Sequence, residues 1–298
     1  MSIDLKEVLK HKAINGWGLF CLVCIPMCLM MIIATMQADM STGPGVSTMI
    51  GFSVRWAVPF IFLVVAASSV QVLFPGPFPA WLSRNRKYIG FCFAVAMFWQ
   101  ASFIFIMSNI YRDYYINDVY LLRDELEGTV GYIFLVAMVL TSFNTFRKRL
   151  NSRQWKLINK CGIYFLWAYP FSVYWWTLFY YQKPEPIDYV FYVGGFVVFA
   201  SRIAAWGKKR HLAAARNAPA AYKMLGGAMI LFGLVASVTG GYWQKPVTAF
   251  LTSPQWSADL VLWLPFWPFE PFLPLLIMAF GTLLVTRQSA VQAELQPE

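Results

Sequence analysis

The stretch RQWKLINKCGIYFLWAYPFSVYWW occupies residues 153–176 and joins two kinds of sequence. It begins with the basic residues Arg153, Lys156 and Lys160, and it continues as an aromatic and apolar run that carries no charge. A run of this kind favours a helix that crosses a membrane, with the basic end held at the cytoplasmic surface. We therefore expect a membrane protein whose basic segments mark one side of the bilayer.

The whole chain has the composition of an integral membrane protein. Of its 298 residues, 59% are hydrophobic and only 13% are charged, whereas soluble domains carry about 25% charged residues. A hydrocarbon core of about 30 Å requires helices of roughly 20 apolar residues. The predicted fold is all-α, a polytopic membrane helix bundle of about eight transmembrane helices. The eight apolar stretches are about residues 16–36, 50–74, 88–111, 128–146, 161–182, 188–207, 223–242 and 262–286.

Basic residues are distributed by side of the membrane. Of the 24 Lys and Arg, 18 precede the first stretch, follow the last, or lie in every second connection or at its edge, as Lys223 does. The positive-inside rule then predicts that both termini are cytoplasmic. The net charge of +10 reflects this topology rather than a nucleic-acid-binding face, so we expect the lipid bilayer and no nucleic acid as a partner.

Ligands for haem or a metal ion are scarce in the sequence. His11 and His211 lie outside the apolar stretches, so paired imidazoles cannot hold a b-type haem at bilayer depth. Cys21, Cys24 and Cys28 share one helical face, where a soft-metal site and small packing residues are the alternatives. No further ligand pairs with these cysteines, so packing is favoured and no metal site is predicted.

Polar residues within apolar stretches are costly in lipid and usually face the protein interior. Arg55 lies about a turn inside the second stretch, and Gln100 is near the middle of the third, where we expect a hydrogen bond to another helix. The segment VLWLPFWPFEPFLPLL at 261–276 contains four prolines, which prevent a regular helix through residue 274. We expect an irregular aromatic region at the outer interface, with Glu270 as a solvated carboxylate; a ligand or proton site is the alternative.

Four short motifs occur in the order found in one known family. Ser53–Trp56 places an arginine in a helix start, and Arg86–Gly90 is a basic turn that leads into the next helix. Leu140–Ser142 ends a helix, and Trp155–Lys160 is a second basic turn. With these motifs, residues 50–176 resemble the ferric reductase-like transmembrane domain, particularly the haem-binding membrane subunit of the bacterial periplasmic methionine sulfoxide reductase system.

The resemblance implies haem-ligating histidines at or near Gln100, Asn159 and Ser172. All three side chains form hydrogen bonds but are poor haem ligands, so we expect a haem-free protein and predict no cofactor. The family's quinone or flavin remains possible, with Arg55 and the aromatic helix at 161–182 lining a quinone site.

The predicted organisation combines the resemblance with the apolar stretches. The first stretch is expected to be a retained anchor rather than a cleaved signal. The resemblance and the charges predict a multi-pass protein of the bacterial cytoplasmic (inner) membrane. The predicted segments are an interfacial amphipathic segment at 1–15, a six-helix ferric reductase-like core at 16–207, a cytoplasmic basic loop at 208–222, two additional transmembrane helices at 223–286 and a cytoplasmic tail at 287–298.

Three functions remain open. A non-catalytic accessory or scaffold subunit of a membrane complex is favoured, because it accounts for the missing haem ligands; no catalytic residue is predicted. The alternatives are a quinone- or flavin-linked electron-transfer subunit and a small-molecule transporter or channel. An accessory subunit needs a membrane or periplasmic protein partner, and aromatic side chains are enriched at such interfaces. The predicted partner-binding residues are Tyr114, Tyr115, Tyr120, Trp263, Trp267 and Glu270.

Overall fold

The computed structural model describes residues 5–181, 184–213, 218–253, 257, 260 and 264–287. Within these ranges the backbone forms helices, turns and bends and no β-strand. The prediction of an all-α fold is therefore confirmed. In the described part of the chain the α-helices are, in order, α1 Leu5–Val8, α2 Trp17–Gln37, α3 Gly43–Leu73, α4 Pro77–Ile110, α5 Arg112–Tyr114, α6 Leu122–Thr141, α7 Asn144–Arg147, α8 Ser152–Trp176, α9 Pro186–Ala213, α10 Ala220–Val238, α11 Gly240–Leu251 and α12 Leu273–Val285.

Five of the described helices are long and apolar enough to cross a membrane: α2, α3, α4, α9 and α10. Helices α6 and α8 coincide with most of the fourth and fifth predicted stretches. However, α6 begins with acidic turns that contain Asp124 and Glu125, and α8 begins with basic turns that contain Arg153 and Lys156. Helix α12 follows a 3₁₀ turn at Glu270–Phe272 and is only 13 residues long. The described residues thus contain five candidate membrane-spanning helices.

Contacts within the chain define two compact units. The predicted boundary at residue 207, at the end of the six-helix core, does not coincide with a boundary between these units and stays a prediction. The first unit contains Met1–Ala67, Pro75–Pro170 and Asp259–Phe266, and the second contains Ser68–Phe74, Phe171–Ala258 and Trp267–Glu298.

The first unit has a methionine-rich core where α2, α3 and α4 meet. Met31, Val46, Met49, Phe103 and Met107 are buried there and contact one another. Methionine side chains are unbranched and fill irregular gaps between helices. The loop after α4 covers one end of this core with partly buried tyrosines.

The N-terminal segment is attached to the start of α4 by a buried asparagine. Asn85 accepts a hydrogen bond from the Gly16 N–H at 2.8 Å and donates to Asn15 Oδ1 at 3.0 Å. The Trp81 indole donates to the Ile14 carbonyl at 2.8 Å. Gly16 has a φ of 62°, a left-handed conformation that glycine adopts without steric cost. These bonds hold the predicted interfacial segment against α4.

The second unit is closely packed because glycines line the crossing of α10 and α12. A Cβ atom added to Gly226 would lie 2.5 Å from the carbonyl oxygen of Gly281. A Cβ atom added to Gly281 would lie 2.6 Å from the carbonyl oxygen of Gly226, and one added to Gly233 would lie 2.6 Å from Cγ of Met278. Small residues at these positions let two helix backbones approach closely, as in membrane helix pairs generally.

Candidate functional site

The first unit contains a cavity of about 440 Å³ between α3, α4, α6 and α8. Apolar side chains form most of its lining, for example Val58 on α3, Phe93 on α4, Leu135 on α6 and Phe165 on α8. The polar lining is contributed by α4, α6, α8 and the loop after α4. Small-molecule sites have volumes of roughly 300–1,000 Å³ and combine apolar walls with a few placed polar groups. The cavity has both properties.

Gln100 and Tyr132 form a hydrogen-bonded polar pair in the cavity lining. The Tyr132 hydroxyl on α6 donates to Gln100 Oε1 on α4 at 3.0 Å, and it also lies 3.2 Å from the Met97 carbonyl. The prediction that Gln100 pairs with a neighbouring helix is confirmed. Among the described residues, Nε2 of Gln100 has no hydrogen-bond partner. A donor at the cavity surface is therefore available for a ligand oxygen.

Acidic residues line the cavity at the first turns of α6. The Tyr115 hydroxyl, in the loop after α4, donates to Glu125, and both side chains line the cavity. Burial raises the pKa of Tyr115 above its usual range, and the hydrogen bond to Glu125 raises it further. Tyr115 therefore remains a neutral donor to Glu125 over the physiological pH range.

Glu127 also lines the cavity and binds the backbone of Phe266, which is distant in the sequence. Its Oε1 accepts a hydrogen bond from the Phe266 N–H at 3.1 Å and lies 3.8 Å from Nε of Arg123. Phe266 has a φ of 58°, which is unusual for a residue other than glycine. Its ring lies 5.0 Å, between centroids, from that of Phe165, which lines the cavity. Glu127 thus fixes a strained residue next to the cavity.

The other positions at which the resemblance implies ligands are placed differently from Gln100. Asn159 donates to the Trp155 carbonyl of its own helix at 2.9 Å and does not line the cavity. Ser172 is buried and belongs to the second unit. Arg55 is exposed, and its neighbour Val54 contributes to the cavity lining instead.

The three tyrosines of the predicted partner surface have different environments. Tyr114 is half-buried and packs so closely on Gly43 that a Cβ atom there would lie 2.4 Å from its ring. Tyr115 is half-buried between the core and Glu125. Tyr120 is 43% exposed, and its ring lies 6.0 Å, between centroids, from that of Tyr115. Only Tyr120 is therefore freely presented at the surface.

The aromatic segment after residue 260 differs from the prediction. Trp267 is 3% exposed and Glu270 is 0% exposed, so the prediction of a solvated interfacial carboxylate is wrong. Trp267 and Glu270 are consequently not available to a partner, and Trp263 lies outside the described residues.

The sequence alone did not indicate that Tyr132 pairs with Gln100 or that Glu127 lines the cavity. Tyr132 is polar and lies within the fourth apolar stretch, which is the signal that identified Gln100. Glu127 precedes that stretch and lies in the connection between the third and fourth apolar stretches. Over the residues that the structure describes, no three His, Cys, Asp or Glu side chains lie together as metal ligands would.

Comparison with known proteins gives no family assignment, since no protein-family model, no curated protein and no solved structure matches the chain.

Proposed function

We propose that this is a haem-free membrane protein whose first unit binds a quinone-class molecule in the cavity beside Gln100. The observation that carries the proposal is the Gln100 amide. Its Oε1 accepts a hydrogen bond from Tyr132, and no described residue accepts a hydrogen bond from its Nε2, although Gln100 lines the cavity. A quinone carbonyl accepts a hydrogen bond from such a donor. The apolar lining suits the ring and the first part of an isoprenoid tail.

The size and polarity of the cavity support this class of ligand over an ion. Its volume of about 440 Å³ suits one ring system with a short tail. Aromatic and aliphatic side chains dominate its lining, whereas its acidic side chains lie together at the start of α6. Glu125 and Glu127 accept hydrogen bonds from Tyr115 and Phe266, and the Gln100 amide offers a neutral donor to an uncharged ligand.

The proposal extends to topology and location. We infer eight membrane crossings with both termini in the cytoplasm of a bacterial inner membrane, in a ferric reductase-like arrangement. The positive-inside distribution of Lys and Arg supports this orientation. Helices α6, α8 and α12 would then cross together with the five more apolar helices. The acidic side of the cavity would face outward, because it adjoins the loop at 111–121.

Binding of a short-chain ubiquinone to the purified protein in detergent tests the proposal. Gln100→Leu should weaken binding about tenfold, which corresponds to about 1.4 kcal/mol for a lost donor. Gln37→Leu makes the same chemical change at an exposed position and should leave affinity unchanged. Equal affinity of wild type and Gln100→Leu, with both folded, would contradict the proposal.

A second candidate function, accessory subunit of a membrane complex, is favoured by one exposed surface. Tyr120, Leu121, Leu122 and Leu126 are exposed on the loop after α4 and the start of α6. Apolar and aromatic side chains among acidic residues suit a protein partner. Gentle detergent extraction tests it: wild type should retain a partner protein that the double variant Tyr120→Ser, Leu121→Ser releases. Extraction of a lone monomer from wild type would exclude a stable accessory role.

A further inference from the structure

Glu270, Gln244 and Thr248 form a polar cluster in the second unit, and Glu270 and Gln244 are buried in it. Glu270 begins the 3₁₀ turn that leads into α12, and Gln244 and Thr248 lie one turn apart on α11. The exposed fraction of both Glu270 and Gln244 is 0%. A glutamate and a glutamine are rarely buried so completely in one place.

The hydrogen bonds of the cluster leave several oxygens without a donor. Gln244 Nε2 donates to Thr248 Oγ1 at 2.7 Å, and the Thr248 hydroxyl lies beside the Glu270 carboxyl group. Oε1 of Gln244 and both carboxyl oxygens of Glu270 are buried without a hydrogen-bond partner of good geometry in the described part of the chain. Over the described residues, no well-aligned donor reaches these three buried acceptor oxygens, and the Thr248 hydroxyl is the donor beside Glu270.

On α11 and α12, which the structure describes in full, no buried cation accompanies Glu270. The ionisable side chains of α11 are Tyr242 and Lys245, and both are exposed. Helix α12 carries no ionisable side chain. The end of α8 contacts Phe272 through Phe171, and the nearby Tyr174 packs on Phe191, 5.0 Å between ring centroids. An ionised, unpaired carboxylate in this environment would be very costly.

The space around the carboxyl group decides which cation neutralises it. Oε1 of Gln244 and the two carboxyl oxygens of Glu270 have essentially no surface that a water molecule can reach. A hydrated metal ion therefore does not fit beside them, whereas a proton adds no volume. Bound to a carboxyl oxygen, the proton also provides the donor that the cluster lacks.

We propose that Glu270, with Thr248 and Gln244, forms a proton-binding site in the second unit. On binding, hydronium transfers a proton to the Glu270 carboxylate, which forms an O–H bond and becomes a neutral carboxylic acid, and water remains. On release, that bond breaks and the proton passes to water as hydronium. In this proposal the described conformation holds the protonated acid, because its carboxyl oxygens are buried. Release of the proton therefore requires an opening that admits water to Glu270.

Infrared spectroscopy of the purified protein in lipid tests the site. At pH 7 the wild type should show a carboxylic acid C=O band that disappears in Glu270→Gln and remains in Glu7→Gln, a matched change at an exposed glutamate. Thr248→Val should shift the band, since the Thr248 hydroxyl lies beside the group. Identical wild-type and Glu270→Gln spectra in this region would overturn the proposal.

The stability of the same variant provides a second test. Glutamine resembles the protonated acid in shape and lacks a charge, so Glu270→Gln should fold and unfold at the wild-type temperature. A variant that does not fold, or that loses much stability, would show that an ionised carboxylate is needed at this position and would overturn the proposal as well.

Discussion

The Tyr132 hydroxyl on α6 donates a hydrogen bond across 3.0 Å to Oε1 of Gln100 on α4. This bond joins two helices at the cavity and fixes the orientation of the Gln100 amide. With Oε1 occupied, Nε2 is the part of the amide that remains for a ligand. Interhelical hydrogen bonds in membrane proteins contribute about 0.6 kcal/mol on average, so the bond matters more for orientation than for stability.

Replacing Tyr132 by Phe should therefore affect ligand binding more visibly than folding. We expect a loss of unfolding free energy of about 0.6 kcal/mol and a weakening of ubiquinone binding of about threefold, because the amide is no longer oriented. Thermal unfolding in detergent and a binding titration measure the two effects. Tyr189→Phe, at an exposed position on α9, is the control and should change neither.

The raised pKa of Tyr115 predicts how the stability of the folded protein depends on pH. Its pKa is raised in the folded protein, first by burial and then by Glu125. Between the ordinary tyrosine value of about 10 and the raised folded value, the folded state binds more protons than the unfolded state. The contribution of Tyr115 to the free energy of unfolding is therefore complete below about pH 10 and is lost as the pH rises further.

The variant Tyr115→Phe should show a smaller loss of thermal stability between neutral and strongly alkaline pH than the wild type. Tyr242→Phe, at a side chain that is 90% exposed, should follow the wild-type curve. If the curve for Tyr115→Phe overlays that of the wild type, the Tyr115 hydroxyl does not make the hydrogen bond to Glu125.

At the α10–α12 crossing, replacing a glycine by alanine should destabilise the protein at some positions and have no such effect at a neighbouring one. Gly226→Ala or Gly281→Ala should reduce the free energy of unfolding by about 1–3 kcal/mol, because the new methyl group meets backbone oxygen of the facing helix. Gly227→Ala is the control, since nothing lies within 4 Å of the added Cβ atom. Equal stability of Gly226→Ala and Gly227→Ala would mean that the two helices are not so close.

The order of helices could be predicted because apolar runs of the required length mark them directly. Helix α2, at Trp17–Gln37, agrees to within one residue at each end with the predicted stretch 16–36. The interior could not be predicted to the same extent. Tyr132 and Gln100 are 32 residues apart, and Phe266 meets Glu127 across 139 residues, so no local pattern indicates either pair. Glu270 was misjudged because prolines and aromatic residues are common both at interfaces and in buried turns.

The proposed topology predicts the side on which each connection lies. A reporter enzyme inserted within 208–222 should be active in the cytoplasm, and one inserted within 113–126 should be active outside it. Each insertion serves as the control for the other, because a reporter that is active on only one side gives opposite signals. The same signal from both insertions would rule out the eight-helix arrangement.

Photolabelling with a light-activated short-chain ubiquinone tests the central claim, ligand binding beside Gln100, most directly. The protein is labelled in lipid, digested and mapped by mass spectrometry, with and without excess unlabelled ubiquinone. We predict labelled peptides around Met97 on α4 and Tyr132 on α6, and loss of the label when the competitor is present. Labelling confined to the exposed face of α2, or labelling that the competitor does not reduce, would contradict the claim.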